Sequence, residues 1–302
     1  MMRVAKVIAT SFVPRTVRDV TGISGTPMGY FSHSQNFPTR ESVIDLINFT
    51  IEAELKCDPG APVDLIIVNS DSGWQEGRNF LDGLDGRNLP HGRIRVLHRK
   101  NFGISFGAYN HAFLTLRGDY DYFIFTEDDV TISRNGYAHK GIEFFNRTKN
   151  CGFVAYVGIS KKALDLNFED ALSAHGAIGL SSTVVLNRVV ERVGSLPHAD
   201  ESSPQTYQDH LRYGEVAFTN KIYKLGFKLV TMPSNIKLYD FAYDLMRGLD
   251  VKRYPSLPEK LLLVAKQAAY KYRVVRSLHG FWKSRRGRID PRTDTTQDWA
   301  ER

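Results

Sequence analysis

The sequence predicts an α/β protein: a mostly parallel sheet flanked by helices, with a basic helical extension at the C-terminal end. Three observations carry that reading. Apolar, β-branched runs alternate with stretches of helical periodicity, the order that builds parallel sheets. The runs have few polar positions, as strands covered on both faces do. The positive charge is also uneven: eleven Lys and Arg residues lie between Lys252 and Arg288 against the single acid Glu259, which outweighs the net +7 of the whole 302-residue chain.

The elements follow in order. Val4 to Thr10 is the first strand, stopped by Pro14, and a loop rich in Gly, Ser, Thr and Pro runs from Thr21 to Pro38. Thr39-Arg40-Glu41-Ser42 opens a helix in which Val43, Leu46, Ile47, Thr50, Ile51 and Leu55 share one face, and Asp58-Pro59-Gly60 ends it. Val63 to Asn69, Arg93 to His98 and Tyr122 to Thr126 are the next three strands, with a helix from Ser105 to Leu116 between the last two. Gly152 to Ile159 is a fifth strand. Beyond Ser173, Gly176 to Leu180 is a small-residue apolar stretch, Val184 to Val193 is amphipathic, and Gly194 to Pro204 is a loop. Tyr207 to Leu225 reads as a helix closed by Gly226, and Phe227 to Met232 as a short strand before Pro233.

A hydrophobic share of 42% and a charged share of 24% are those of a globular chain with a substantial core, which sets aside disordered and fibrous classes. No apolar run approaches the roughly 20 residues of a membrane-spanning helix. Met1 to Thr10 turns polar too soon for a signal peptide and reads better as a strand. Cys57 and Cys151 are too few for a disulfide framework and lack metal-site spacing, so a cytoplasmic location is expected.

The chemistry concentrates at Tyr122 to Val130, where an aromatic and β-branched run ends in Glu127-Asp128-Asp129. Three adjacent carboxylates repel unless a cation neutralises them. A hard divalent ion with oxygen ligands does so, and such ions also hold substrate phosphates; the plain alternative is an acidic turn. Open parallel sheets bind ligands outside the carboxyl ends of their strands. Those ends are polar at four strands here: Thr10-Ser11, Asn69 to Gly73, Arg99 to Gly103, and Glu127 to Asp129.

Together these residues resemble the GT-A fold glycosyltransferases and are similar to family 2, whose members are inverting and nucleotide-sugar dependent. The likeness covers about Val4 to Pro233. It implies a Rossmann-like GT-A domain over residues 1–240, with a nucleotide-binding half (1–135) and an acceptor half (136–240), followed by a basic amphipathic tail (241–302). Glu127-Asp128-Asp129 stands at the family's D-x-D motif, so Asp129 is the implied ligand of Mn2+ or Mg2+, and Glu127 or Asp128 faces the ribose or a metal-bound water. Asn101 to Asn110 resembles an N-x-G-x-x-x-A-x-N element beside the donor, which makes Asn101 and Gly103 donor-binding positions. Small residues there equally suit close helix–sheet packing. Asp71 takes the place of the aspartate that bonds the base, or caps its own turn before Gly73. Thr10, Ser11 and Arg15 occupy the donor-binding loop, with Arg15 on phosphate or in solvent.

Gly214 to Phe227 aligns without a gap on the family's E-D-x-D-L-x-x-R-x-x-x-x-G-[YF] element. Glu215 falls on the catalytic acid, Lys221 on the basic residue and Gly226-Phe227 on the closing pair; Gly214 and Ala217 depart from it. The resemblance makes Glu215 the general base that takes the acceptor proton; its plain reading is a solvated glutamate at a helix start. His175 and Gly176 fall on the acceptor-side loop.

In the tail, Leu261 to Ala265, Val274-Val275, Phe281 and Trp282 interleave with the basic residues. That pattern suits a helix lying on an anionic membrane, or one packing its stripe on the catalytic domain. The expected partners are therefore a nucleotide-sugar donor, a glycan or glycolipid acceptor and an anionic membrane surface. Nucleic acid is not expected, since no reading motif accompanies the charge. The expected activity is an inverting sugar transfer in polysaccharide biosynthesis at the inner face of the cell membrane. A non-catalytic nucleotide-binding scaffold competes with it on Gly214 and Ala217. A nucleotidyltransferase competes less well, because Thr10 to Arg15 lacks a glycine-rich basic loop.

Overall fold

The computed structural model describes residues 2–12, 40–132, 134–161, 172–205, 209–233, 236 and 238–241. Arg15, the loop Thr21 to Pro38, Tyr207 and the basic tail from 242 onward lie outside the described residues. The centre of the sheet is β1 (Val4–Thr10), every residue of which is buried. Parallel to it lie β2 (Val63–Asp71) on one side and a strand Tyr122–Glu127 on the other. Gly92–Lys100 pairs in parallel beyond β2, and the two-residue strand Asn88–Leu89 pairs antiparallel at that edge. On the far side Gly179–Ser182 runs antiparallel, wedged between Tyr122–Glu127 and Cys151–Ala155, and Lys228–Thr231 closes the edge parallel to Cys151–Ala155. In chain order these strands are β3 (Asn88–Leu89), β4 (Gly92–Lys100), β5 (Tyr122–Glu127), β6 (Val130–Ile132), β7 (Cys151–Ala155), β8 (Ile159–Lys161), β9 (Leu172–Ala174), β10 (Gly179–Ser182), β11 (Lys228–Thr231) and β12 (Tyr239–Phe241). The eight-stranded order β11-β7-β10-β5-β1-β2-β4-β3 is the expected α/β, Rossmann-like and mostly parallel architecture, with one reversed strand inside it.

The helices are α1 (Arg40–Lys56), α2 (Gln75–Asp82), α3 (Ile104–Leu116), α4 (Tyr137–Arg147), α5 (Thr183–Val193) and α6 (Ala217–Lys224). The sequence did not show α2, α4 or β6. Its fifth strand, expected over Gly152 to Ile159, is shorter and gives way to a bend before the separate β8–β9 pair. α5 begins on a capping serine, since Ser182 Oγ accepts from the Val185 N–H at 3.3 Å.

Two local readings change. Gly176 to Leu180 holds a tight turn, His175–Ala177, and then β10. With the sequence Gly-Leu-Ser-Ser, β10 has no β-branched residue to announce it; it forms because Gly179 lets the reversed strand approach β7. A Cβ there would stand 2.2 Å from the Val154 carbonyl oxygen. Gly179→Ala should therefore cost about 1–3 kcal/mol of unfolding free energy in denaturant titration.

On α1, Leu55 is 44% exposed, while Glu54 turns inward at 5%. The reason is Lys6, wholly buried on β1, whose ammonium donates to Glu54 Oε1 at 2.5 Å and to the Ile132 carbonyl at 2.5 Å. The Tyr137 hydroxyl donates to Glu54 Oε2 at 3.0 Å. Buried charges persist when paired and hydrogen-bonded, so the helix rotates to meet the lysine.

Candidate active site at the carboxyl rim of the sheet

Glu127 closes β5 at the sheet's carboxyl rim, and Asp128 and Asp129 form the turn into β6. The three acids do not share one environment. Asp128 is 1% exposed, accepts from the Thr10 hydroxyl at 2.9 Å, and its backbone N–H donates to the Ala9 carbonyl at 3.2 Å. Asp128 thus ties the end of β5 to the end of β1. Glu127 is half-buried and accepts from the Ser105 hydroxyl in the first turn of α3 at 2.5 Å. Asp129 is half-buried in the turn between β5 and β6.

Glu215 comes to the same place from the far end of the chain. The helix it was expected to open begins earlier: His210–Val216 is a π-helical segment that runs straight into α6. Wide turns of this kind recur at functional sites. Glu215 is 2% exposed, so the solvated helix-start reading is replaced by a buried carboxylate. One of its oxygens accepts from the Ser173 hydroxyl and the other from the Gly176 N–H at 2.8 Å. Gly176, at φ +59°, sits between the two acids: a Cβ on it would stand 3.8 Å from Glu127 Cδ. The Tyr109 hydroxyl donates to the Gly176 carbonyl at 3.3 Å. Burial pushes that hydroxyl well above the usual tyrosine range, and the fields of Glu127, Asp129, Asp128 and Glu215 push it further. The fold has gathered four carboxylates around one buried phenol.

His210 adds a cation-capable group. Its Nε2 lies 3.8 Å from Glu127 Oε1, and its ring packs on Phe106 with centroids 5.2 Å apart. Phe106 also explains Gly214, one of the departures from the family element. A Cβ at Gly214 would come within 2.5 Å of the Phe106 ring, so an acid cannot stand there without moving α3. His175 lies in the turn that carries Gly176, with its backbone N–H on the Gly158 carbonyl at 3.1 Å.

The other rim positions are placed as follows. The Ser11 hydroxyl donates to the Ser70 carbonyl at 2.9 Å, joining the ends of β1 and β2. Asp71 caps its own turn through the Gly73 N–H at 2.8 Å and pairs with Arg78 at 3.1 Å. Asn101 is exposed in the loop after β4. Gly103 is the left-handed residue, φ +69°, that starts α3, and its N–H donates to Gln205 Oε1 at 2.5 Å. Trp74 packs edge-on against Phe12, with centroids 5.2 Å apart.

Several contacts near the rim escaped the sequence reading. Asn69, on β2, donates to His98 Nδ1 at 3.1 Å, and His98 Nε2 meets Asp82 at 2.7 Å. This chain orients the amide so that its buried Oδ1 is an acceptor with no partner among the described residues. Ser105, Tyr109, Ser173 and His210 were also missed. Only Ser105 was within reach, by its place at the start of α3 opposite the acids; the rest depend on long-range contacts. Arg99, at the end of β4, is 9% exposed, and burial pulls its guanidinium down to about 10.

Architecture and rim together define the class: an α/β, Rossmann-like fold with an acidic rim on its central strands. No protein-family model matches the chain, and no curated protein sequence matches it. Similar solved structures include TarS residues 1–349 from S. aureus, at 14% identity and a TM-score of 0.42, covering 79% of this chain and 60% of that one. A cytidylyltransferase from Leptospira borgpetersenii serovar Hardjo-bovis is similar at 12% identity and a TM-score of 0.44, covering 89% and 97%. A 4-diphosphocytidyl-2C-methyl-D-erythritol synthase from Anaerococcus prevotii is similar at 10% identity and a TM-score of 0.38, covering 78% and 91%. The chain thus spans about three fifths of the TarS structure.

Proposed function

We propose that the protein is a metal-dependent transferase that binds a nucleotide-sugar donor across the carboxyl rim and passes the sugar, with inversion, to a glycan or lipid-linked acceptor. The observation that supports this is the convergence of Glu127, Asp128, Asp129 and Glu215 around Tyr109 and Gly176. One carboxylate set beside a leaving diphosphate and a separate carboxylate across the sugar are what an inverting displacement uses.

Among the described residues no group of three or more His, Cys, Asp or Glu side chains forms a closed metal site. Asp128 is turned inward onto Thr10, which leaves Asp129 with Glu127 as the hard-oxygen pair. That donor set fits Mg2+ or Mn2+, which keep several waters and take one or two carboxylates plus substrate phosphates. When bound there, such a cation would offset the charge of the departing diphosphate. Ser105 orients Glu127, and Thr10 fixes the turn that presents Asp129. The basic tail, in this reading, places the enzyme on an anionic membrane where a lipid-linked acceptor would be met. Among the described residues no helix is long and apolar enough to cross a membrane.

Glu215 is the proposed base, and its geometry sets a condition. Each of its oxygens already accepts one bond, so the acceptor hydroxyl must use a remaining lone pair or displace the Ser173 or Gly176 bond. Glu215→Gln preserves the framework, because the Ser173 hydroxyl can rotate to accept from the new amide while Gly176 keeps its oxygen. The variant should hold the donor normally and lose transfer by roughly 10²–10⁴-fold. Unchanged transfer would remove Glu215 from the role. The double engagement of its carboxylate is also what favours a non-catalytic scaffold, which would bind the donor and show no slow donor hydrolysis.

Thermal unfolding with Mn2+ or Mg2+ and a panel of nucleoside diphosphates tests the whole reading. One nucleoside diphosphate should stabilise the protein only with the cation present, by about 2.7 kcal/mol at a hundredfold excess over Kd. Stabilisation by a nucleoside triphosphate alone would point to nucleotidyl transfer. No stabilisation by any nucleotide would overturn the proposal.

A further inference from the structure

A second concentration of charge lies at the opposite end of the sheet, where the parallel strands begin. Gly92 starts β4 so close to β2 that a Cβ on it would collide with the Val63 carbonyl, and the Arg93 N–H thereby reaches Asp64 Oδ1 at 2.9 Å. The other oxygen, Oδ2, accepts from the Tyr120 hydroxyl at 2.7 Å and from Arg3 Nη2 at 3.2 Å. Asp64, its side chain only 12% exposed, ties the starts of β1, β2 and β4 to the approach to β5. Beside it is a cavity of about 260 Å³, lined by Arg3, Asp64, His91, Gly92, Arg93 and Tyr120 among others. The seven residues of β1 separate this end of the sheet from the acidic rim, a span of roughly 20 Å.

The charges of this cavity do not balance. Arg3 Nη2 and Arg93 Nε stand 3.2 and 4.0 Å from the same oxygen of Asp64, so one carboxylate faces two guanidiniums. The neighbouring acids are engaged elsewhere: Asp119 pairs with Arg95 at 3.1 Å, Asp121 accepts from the Arg3 backbone N–H at 2.8 Å, and Asp58 lies 3.9 Å from His91 Nε2. None of those three lines the cavity. Among the described residues the Arg93 guanidinium makes no hydrogen bond, and Arg3 uses one donor while its guanidinium rests 4.9 Å over the Tyr120 ring. Both side chains are half-exposed, so a solute reaches their remaining N–H groups. Each guanidinium is a planar fork matched to phosphate and carboxylate oxygens. We propose that this cavity binds a small oxyanion, a phosphate or a carboxylate, between Arg3 and Arg93, with Asp64 orienting both. Its volume falls below the roughly 300–1,000 Å³ of pockets that enclose drug-sized ligands, which suits an inorganic ion or a small acid rather than a nucleotide. The site goes beyond the transferase reading, since it uses neither the rim carboxylates nor a divalent cation.

The test is calorimetric titration of the full chain, freed of divalent ions on a chelating resin, with inorganic phosphate, pyrophosphate and citrate. The wild-type protein should bind at least one of them, and tighter binding of the phosphates than of citrate, or the reverse, identifies the anion chemistry. Arg93→Gln keeps the backbone bond to Asp64 and removes only the guanidinium that has no hydrogen bond. It should weaken binding roughly tenfold or more, the range lost with a hydrogen bond to a charged group, while the melting temperature stays level. Arg3→Gln should weaken binding as well, which gives a second reading of the same site from a different strand. Anions gathered by the basic segment between Lys252 and Arg288 would be indifferent to both substitutions. Binding unchanged in both variants, or no anion bound by the wild-type protein, overturns the site. Cation-dependent stabilisation by a nucleoside diphosphate that survives such a result leaves the rim reading intact, and its failure leaves this cavity untouched.

Discussion

Glu54→Ala is expected to destabilise the protein by about 3–5 kcal/mol, the cost of leaving one member of a buried ion pair uncompensated. Lys6 is wholly buried, and its three donors have little else to use: Glu54, the Ile132 carbonyl and the face of Tyr137, whose ring centroid is 4.9 Å away. Without the carboxylate the ammonium stays in an apolar layer, and Tyr137 loses the acceptor of its hydroxyl. Chemical denaturation of the single variant measures the loss. The double variant Lys6→Met with Glu54→Leu should recover most of it, because well-packed apolar residues often replace a buried pair at no net cost. If the single variant were as stable as the parent, the pair would not be the buried contact described. The same network bears on function through Ile132: the lysine holds the strand that leaves the acidic turn, so the double variant should be folded yet less active than its stability suggests.

How much of this was legible from the chain alone depended on whether a feature was local. β1 and β5 announce themselves by apolar runs, and the acids at the end of β5 are conspicuous because charge so rarely follows such a run. The parallel order and the polar rim came from alternation and from where the turns fall. The burial of Glu54 was not legible, since helical periodicity ranks leucine above glutamate and Lys6 lies 48 positions earlier. Strand β10 was hidden because its residues are small, and its reason for existing is an approach to β7 that only Gly179 permits. The alignment around Glu215 singled out the residue but carried nothing of its buried setting. It read Gly214 as a missing acid, whereas the ring of Phe106 occupies the space a side chain would need. Nor could it divide Glu127, Asp128 and Asp129, which differ in what they touch across the sheet rather than in anything their order reveals.

That division yields the prediction with the largest effect on activity. Asp129→Ala should leave the fold nearly as stable as before while abolishing cation-dependent stabilisation by nucleoside diphosphate, and it should cut sugar transfer about a thousandfold or more. A bound cation supplies several kcal/mol of charge stabilisation to such a reaction, and each 1.36 kcal/mol is tenfold in rate. Asp128→Ala should behave in the reverse way. Its carboxylate is buried on the Thr10 hydroxyl at 2.9 Å, so its removal leaves that hydroxyl without its acceptor and loosens β5 from β1. The expected loss is about 1–3 kcal/mol of stability, the usual cost of orphaning a buried polar group. Thr10→Val should reproduce that stability loss in part, whereas Ser105→Ala, which removes one hydrogen bond from Glu127, should lower transfer more than stability. Transfer and unfolding measured on the same four variants separate the roles. Near-normal transfer by Asp129→Ala would overturn the proposed cation site at Asp129.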